Sequence, residues 1–93
     1  MVVGVASIEI HIPESGSLKR KRHFLKSIKD RVKNRFNVSI AEVDHNELWQ
    51  RATLGVSVVT NQRHFANQIL SAVVDFISQE NGIQIIDYSV ELY

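Results

Sequence analysis

The sequence predicts an α+β fold in which four antiparallel strands form one sheet and two helices cover one of its faces. Three observations carry that prediction. Four segments rich in β-branched residues alternate apolar and polar side chains with period two. Two other segments repeat their apolar residues every three or four positions, as a helix does. The order along 93 residues is β-α-β-β-α-β, with no internal repeat and no low-complexity linker, and that length fits one domain.

Val2 to Ile12 is the first strand: Ala6, Ile8, Ile10 and Ile12 alternate with Ser7, Glu9 and His11. Pro13-Glu14-Ser15-Gly16 breaks the pattern, and Ser17 is placed to cap a helix from residue 18 to about 35. Leu18, Leu25, Ile28, Val32 and Phe36 form the apolar face of that helix. Asn37 to Asp44 returns to strand character, but the alternation slips between Val38/Ile40 and Ala41/Val43, which predicts a bulge. A polar connection, His45 to Arg51, carries the single Trp and leads into the strand Ala52 to Thr60. Thr60 or Asn61 is the expected cap of the second helix, whose Phe65, Ile69, Val73, Phe76 and Ile77 continue the helical spacing as far as Gly82, a left-handed stop residue. Ile83 to Tyr93 closes the fold, with Ile86, Tyr88, Val90 and Leu92 on one face.

Right-handed crossovers turn this order into a ferredoxin-like βαββαβ domain, spanning residues 1 to 93, with the first and third strands central. The sheet face away from the helices then carries Ser7, Glu9, His11, Thr53, Ser57, Asp87, Ser89 and Glu91, a polar and somewhat acidic set.

Composition narrows the chemistry. The chain has no Cys, which removes disulfides, thiolate metal sites and Cys nucleophiles. No basic segment precedes an apolar block and no apolar run approaches 18 residues, so a cytoplasmic protein without a membrane span is expected. His11, His23, His45 and His64 show no metal-ligand spacing, and no cofactor or metal is expected. Ser15 and Ser17 beside His23 lack an ordering carboxylate, and Gly16-Ser17-Leu18-Lys19 lacks the spacing of a phosphate loop. No catalytic residues are predicted and the chain reads as a non-enzyme.

The net charge of +1 conceals a dipole. Residues 1–36 carry nine Lys or Arg and a net +6, residues 37–60 carry −2, and residues 61–93 carry −3. Most of the basic charge lies on the first helix, in Lys19, Arg20, Lys21, Arg22, Lys26, Lys29 and Lys33. At about 100° per residue, Lys29, Arg22, Lys33, Lys26 and Lys19 fall at roughly 20°, 40°, 60°, 80° and 100° from Leu18, one stripe flanking the apolar face. Four cations in the first turn oppose the helix dipole, whereas an anion at the amides of Ser17, Leu18 and Lys19 would turn dipole, donors and side chains to the same end. Phosphate is the natural anion, and RNA its natural source. An RRM-type base readout is not expected, because Ser7, Glu9, His11, Thr53, Ser57 and Val59 occupy the sheet positions where stacking rings would stand.

Trp49 and Arg51 are the second unusual feature, since both are common interface anchors and Trp stacks on bases. The competing expectation is that Leu48 and Trp49 fold back over the end of the core while Arg51 pairs with a carboxylate.

The stretches VVGVASIEIHIPESGSLKRKR, RFNVSIAEVDHNELWQRATLGVSVV and IIDYSVEL resemble the YlxP-like family, small bacterial proteins of unknown function. The resemblance spans essentially the whole chain, and its most specific parts are Ser17-Leu18-Lys19 with Lys21-Arg22, and Phe36-Asn37-Val38-Ser39 through Ala41-Glu42-Val43, followed by Leu48-Trp49-Gln50-Arg51-Ala52. It implies a ferredoxin-like fold and a gene neighbourhood of translation initiation and ribosome-binding factors. Arg20 departs from the family, where many members carry an acid. No catalytic residue transfers. The expectation is therefore an RNA- or ribosome-associated protein that grips phosphates through its first helix, with ribosomal RNA or the ribosome as partner. The alternative is a homodimeric interaction module that meets an acidic protein, and a third reading holds a phosphorylated metabolite at Ser17.

Overall fold

A computed structural model describes residues 1–93. Its elements are β1 (Val2–His11), α1 (Leu18–Arg35), β2 (Ser39–Asp44), β3 (Arg51–Thr60), α2 (Arg63–Ser78) and β4 (Gln84–Leu92). The strands form one antiparallel sheet in the order β2-β3-β1-β4, so the predicted ferredoxin-like topology with β1 and β3 central is the one found.

Pairing follows the alternation. Ala6 lies opposite Val56, Ile8 opposite Leu54 and Ile10 opposite Ala52, all turned into the core. Against them α1 brings Leu25, Ile28 and Val32, and α2 brings Ala66, Leu70, Val73, Val74 and Ile77. Gly4 lets α2 sit directly on β1: a Cβ there would stand 2.9 Å from Leu70 Cδ1 and 3.2 Å from Ala66 Cβ. At the far end Arg35 covers the edge-to-face pair Phe36–Phe76.

Several boundaries differ from expectation, each for a local reason. Strand β2 begins at Ser39, because Asn37 and Val38 complete the turn out of α1 while Val38 packs against the core. Helix α2 is capped by Gln62 and not by Thr60 or Asn61, and receives no side-chain cap bond. The Thr60 hydroxyl instead donates to the Gln62 carbonyl at 2.7 Å, bracing the turn. The helix stops at Ser78, and Gly82 takes its left-handed φ of 84° later, in the turn that enters β4.

The predicted irregularity in β2 is a bulge at Val43, since Glu42 opposes Leu54 and Asp44 opposes Thr53. It leaves Glu42 on the helix side of the sheet and sends Val43 to the open face, against Gly55. A second bulge, unforeseen, lies in β4: Asp87 opposes Glu9 but Ile85 opposes Ile10, so Ile86 is the extra residue. Ile85 thereby joins Val90 and Leu92 against the core, whereas Ile86 is exposed, which reverses the expected faces of Ile85 and Ile86. The open face is also less polar than expected. Thr53 is buried, and Val5, Ala41, Val43 and Val59 stand exposed.

Candidate functional site

Helix α1 starts where Ser17 stops the chain from continuing extended: its Oγ accepts from the Arg20 amide at 3.1 Å and its carbonyl accepts from the Lys21 amide at 3.1 Å. The amides of Leu18 and Lys19 have no acceptor within the protein, and the first turn contains no acid. Ser17, Leu18 and Lys19 therefore present the positive end of the helix that the sequence suggested.

The cations divide into two groups. Lys19, Arg20, Arg22, Lys26 and Lys33 are exposed and Lys29 is half-buried. Four ion pairs in the protein engage Lys21, Lys26, Arg31 and Arg51; none engages Lys19, Arg22, Lys29 or Lys33. The one acid within the stripe, Asp30, accepts a 2.9 Å bond from Lys26. That bond holds its carboxyl below the ordinary value of 3.8 against the opposing effect of desolvation, and the charges of Lys26, Lys33 and Lys29 add to the lowering. Asp30 thus senses the positive field of the stripe. Arg20 lies off the stripe and lines a cavity of about 350 Å³ with Glu14, Ser15, Ile12, Phe24, Asn81 and Gly82.

Lys21 does not belong with these solvent-facing cations. Its side chain is 0% exposed, and its ammonium lies 2.8 Å from the His45 carbonyl, 3.2 Å from that of Arg51 and 3.3 Å from that of Asn46. Glu42 Oε2 stands 2.9 Å away as counter-ion. Three N–H donors meet three carbonyls, so the carboxylate is neutralised by proximity while Oε2 receives no aligned hydrogen. The signal was present in the sequence: at roughly 300° from Leu18, Lys21 falls between Ile28 at roughly 280° and Val32 at roughly 320°, in the middle of the apolar face.

That ammonium holds both ends of the β2–β3 connection. His45 enters it with a left-handed φ of 62°, its amide bonded to Asp44 Oδ1 at 2.7 Å and its ring Nδ1 2.9 Å from Thr53 Oγ1. Leu48 donates to the His45 carbonyl at 3.1 Å, and Gln50 ties the loop to the β1–α1 turn through Ile12 N–H to Gln50 O at 2.8 Å and Gln50 Nε2 to Pro13 O at 3.0 Å. On this braced loop Leu48 is 46% and Trp49 56% exposed. The expectation that they fold back over the core is overturned, because Lys21, Glu42 and Thr53 already close that end. Arg51 does meet a carboxylate, Glu9, at 3.5 Å, while its Nε is buried without a partner.

A ferredoxin-like domain with a cationic helix and a braced aromatic loop at one end is a small α+β protein. The chain belongs to the family described as protein of unknown function (DUF503), which it matches over residues 3–90. It is 42% identical over 76 residues to the uncharacterized protein YlxP of Bacillus subtilis (strain 168), covering 82% of this chain and 83% of that protein. Among solved structures it is similar to the de novo designed protein Foldit4, with a TM-score of 0.55 and 12% identity over 100% of this chain and 97% of that one. A de novo designed protein with ferredoxin fold, LFR1 1, gives a TM-score of 0.52 at 11% identity over 100% and 84% of the two chains. Those likenesses concern the fold alone. No helix is long and apolar enough to cross a membrane.

Proposed function

We propose that this is a non-enzymatic, cytoplasmic RNA-binding protein, associated with the ribosome, that grips phosphates along α1. The observation supporting it most directly is that Lys19, Arg22, Lys29 and Lys33 lie along one side of α1 with no protein carboxylate paired to them. Lys26 extends the set, because its pair with Asp30 is fully at the surface and yields readily to a phosphate. Lys21 contributes nothing directly, being buried.

Five phosphate contacts give a log–log salt slope of about −4.5 on duplex and about −3.5 on single-stranded RNA. The test is co-sedimentation with bacterial ribosomal subunits at low and moderate salt, with direct RNA titrations at several salt concentrations alongside. Salt-sensitive binding that Arg22→Glu/Lys26→Glu abolishes supports the reading. A flat salt response, or a folded protein that stays in the supernatant at both salts, removes it.

The exposed Val5, Val43 and Val59 of the open face favour a second reading, a homodimer that meets an acidic protein. A concentration-dependent mass that Val43→Lys returns to monomer, with no RNA binding, would select it.

A further inference from the structure

The β2–β3 loop has a form that phosphate binding along α1 does not require. The only Trp of the chain is more than half exposed, on a loop that is fixed and not loose. A buried ammonium holds its two ends through the carbonyls of His45, Asn46 and Arg51, and Gln50 fastens it to the β1–α1 turn. A rigid, solvent-facing indole loses little entropy when a flat ring lies on it, and every nucleobase offers such a face. Arg51, two residues on, adds a cation held only by a 3.5 Å contact to Glu9. Because Lys21 belongs to the first turn of α1, the loop and the cationic stripe are parts of one rigid body.

We propose that the 45–51 loop is a base-stacking platform, so that the RNA recognised by this protein contains unpaired nucleotides beside the backbone held by α1. A blunt duplex keeps its bases stacked on one another and offers Trp49 nothing beyond its terminal pair. A single strand or a bulge can place one base on the indole while neighbouring phosphates meet Lys19 and Arg22. This inference rests on the phosphate-binding reading, and Lys21 serves it as a positioning residue.

Trp49 supplies its own reporter, since no other indole contributes to the emission. The full chain is titrated with a short, end-labelled single-stranded oligoadenylate and with a blunt adenine–uracil duplex of equal length, following label anisotropy for binding and Trp emission for stacking. The expected result is that both RNAs bind and only the single strand quenches the emission. Trp49→Ala, at an exposed position, weakens single-strand binding about 5- to 150-fold and leaves the duplex unchanged. The Lys21→Met/Glu42→Leu variant, if it unfolds cooperatively, keeps duplex binding and loses the preference for the single strand; a preference kept intact refutes the positioning role of Lys21. Binding of the single strand with unchanged emission, or with no loss in Trp49→Ala, overturns the platform and leaves the phosphate reading standing. Failure of both RNAs to bind overturns the two together. In that case, emission that shifts to the blue as the protein self-associates identifies the loop as a contact between protein chains.

Discussion

Replacing Lys21 by Met removes the charge while keeping most of the length and the apolar stem of the side chain. The loss is not that of a surface lysine. Glu42, only 12% exposed, keeps its negative charge without a cation 2.9 Å away, and three carbonyls lose donors at 2.8, 3.2 and 3.3 Å. Breaking a buried ion pair from one side costs about 3–5 kcal/mol, because the remaining charge stays desolvated. A domain of this size holds about 5–14 kcal/mol in all, so the substitution removes about a fifth or more of its stability. At about 4–8 °C per kcal/mol, Tm falls by about 12–40 °C. With a urea m-value near 1.5 kcal/mol per M, the midpoint falls by about 2–3 M. The assay is urea unfolding followed by far-UV circular dichroism, with Lys19→Met as the surface control, expected within about 0.5 kcal/mol of the unaltered protein. Adding Glu42→Leu removes the orphaned carboxylate and restores about 1–3 kcal/mol, a coupling that independent sites would not show. A Lys21→Met protein within about 1 kcal/mol of the parent would refute the buried clamp and the rigidity ascribed to the Trp49 loop.

Three further outcomes follow from the same geometry. Ser17→Ala deletes the acceptor of the Arg20 amide and costs about 0.5–2 kcal/mol, read by the same urea series; an unchanged midpoint would mean that water caps the helix equally well. Gly4→Ala drives a Cβ to 2.9 Å from Leu70 and costs about 1–3 kcal/mol of overpacking, whereas Gly16→Ala, with nothing within 4 Å of the added carbon, stays within about 0.5 kcal/mol. Asp30, held down chiefly by its bond to Lys26, favours the folded state above the unfolded carboxyl value of about 3.9, and that contribution is lost as pH falls through its lower folded value. In Lys26→Gln the Asp30 carboxyl, followed by NMR titration, moves up toward 3.8, and no movement would show that Lys26 is not its main partner.

The limits of α1 were legible because two independent signals coincide there, a Ser cap and an apolar stripe that runs out at Phe36. At α2 the apolar spacing was equally clear, but Thr60, Asn61 and Gln62 are three polar residues in a row, and the cap falls on Gln62, whose side chain makes no cap bond, while Thr60 bonds to the Gln62 carbonyl. The bulge at Val43 announced itself in a broken alternation, while the one at Ile86 left only the adjacent pair Ile85-Ile86, either of which can continue the alternation on its own side. For the candidate site, the exposed cations were readable from helical angles alone. Lys21 was misassigned because its charge was weighed ahead of its angle: the acceptors that bury it come from loop carbonyls 24, 25 and 30 residues away, and carbonyl direction is not written in side-chain type. For Trp49 the sequence left the contact and core readings both open, because a single large ring does not mark which side of a loop it takes.

A lysine at position 21 then has a reason that leucine could not meet. A short connection that leaves β2 through a left-handed His45 and enters β3 at Arg51 turns three carbonyls inward. An apolar side chain would take the ammonium's donor from all three and leave the His45 carbonyl only the Leu48 amide, in a closed site where a lost partner costs about 1–3 kcal/mol. One ammonium supplies three donors from a single point, and a guanidinium, planar and broader, would spread them too far apart for carbonyls that converge on one atom. Glu42, brought to the helix side by the pairing that precedes the Val43 bulge, offsets the charge. The result is a loop whose backbone is bound to α1 itself and not to the sheet alone. If a phosphate backbone docks on Lys19 and Arg22, it therefore meets Leu48 and Trp49 at a fixed separation, set before binding, and the conformational entropy of that arrangement has already been lost in folding. One helix thus uses cations in two ways, with those at roughly 20–100° facing solvent and the one at roughly 300° setting where the aromatic loop stands.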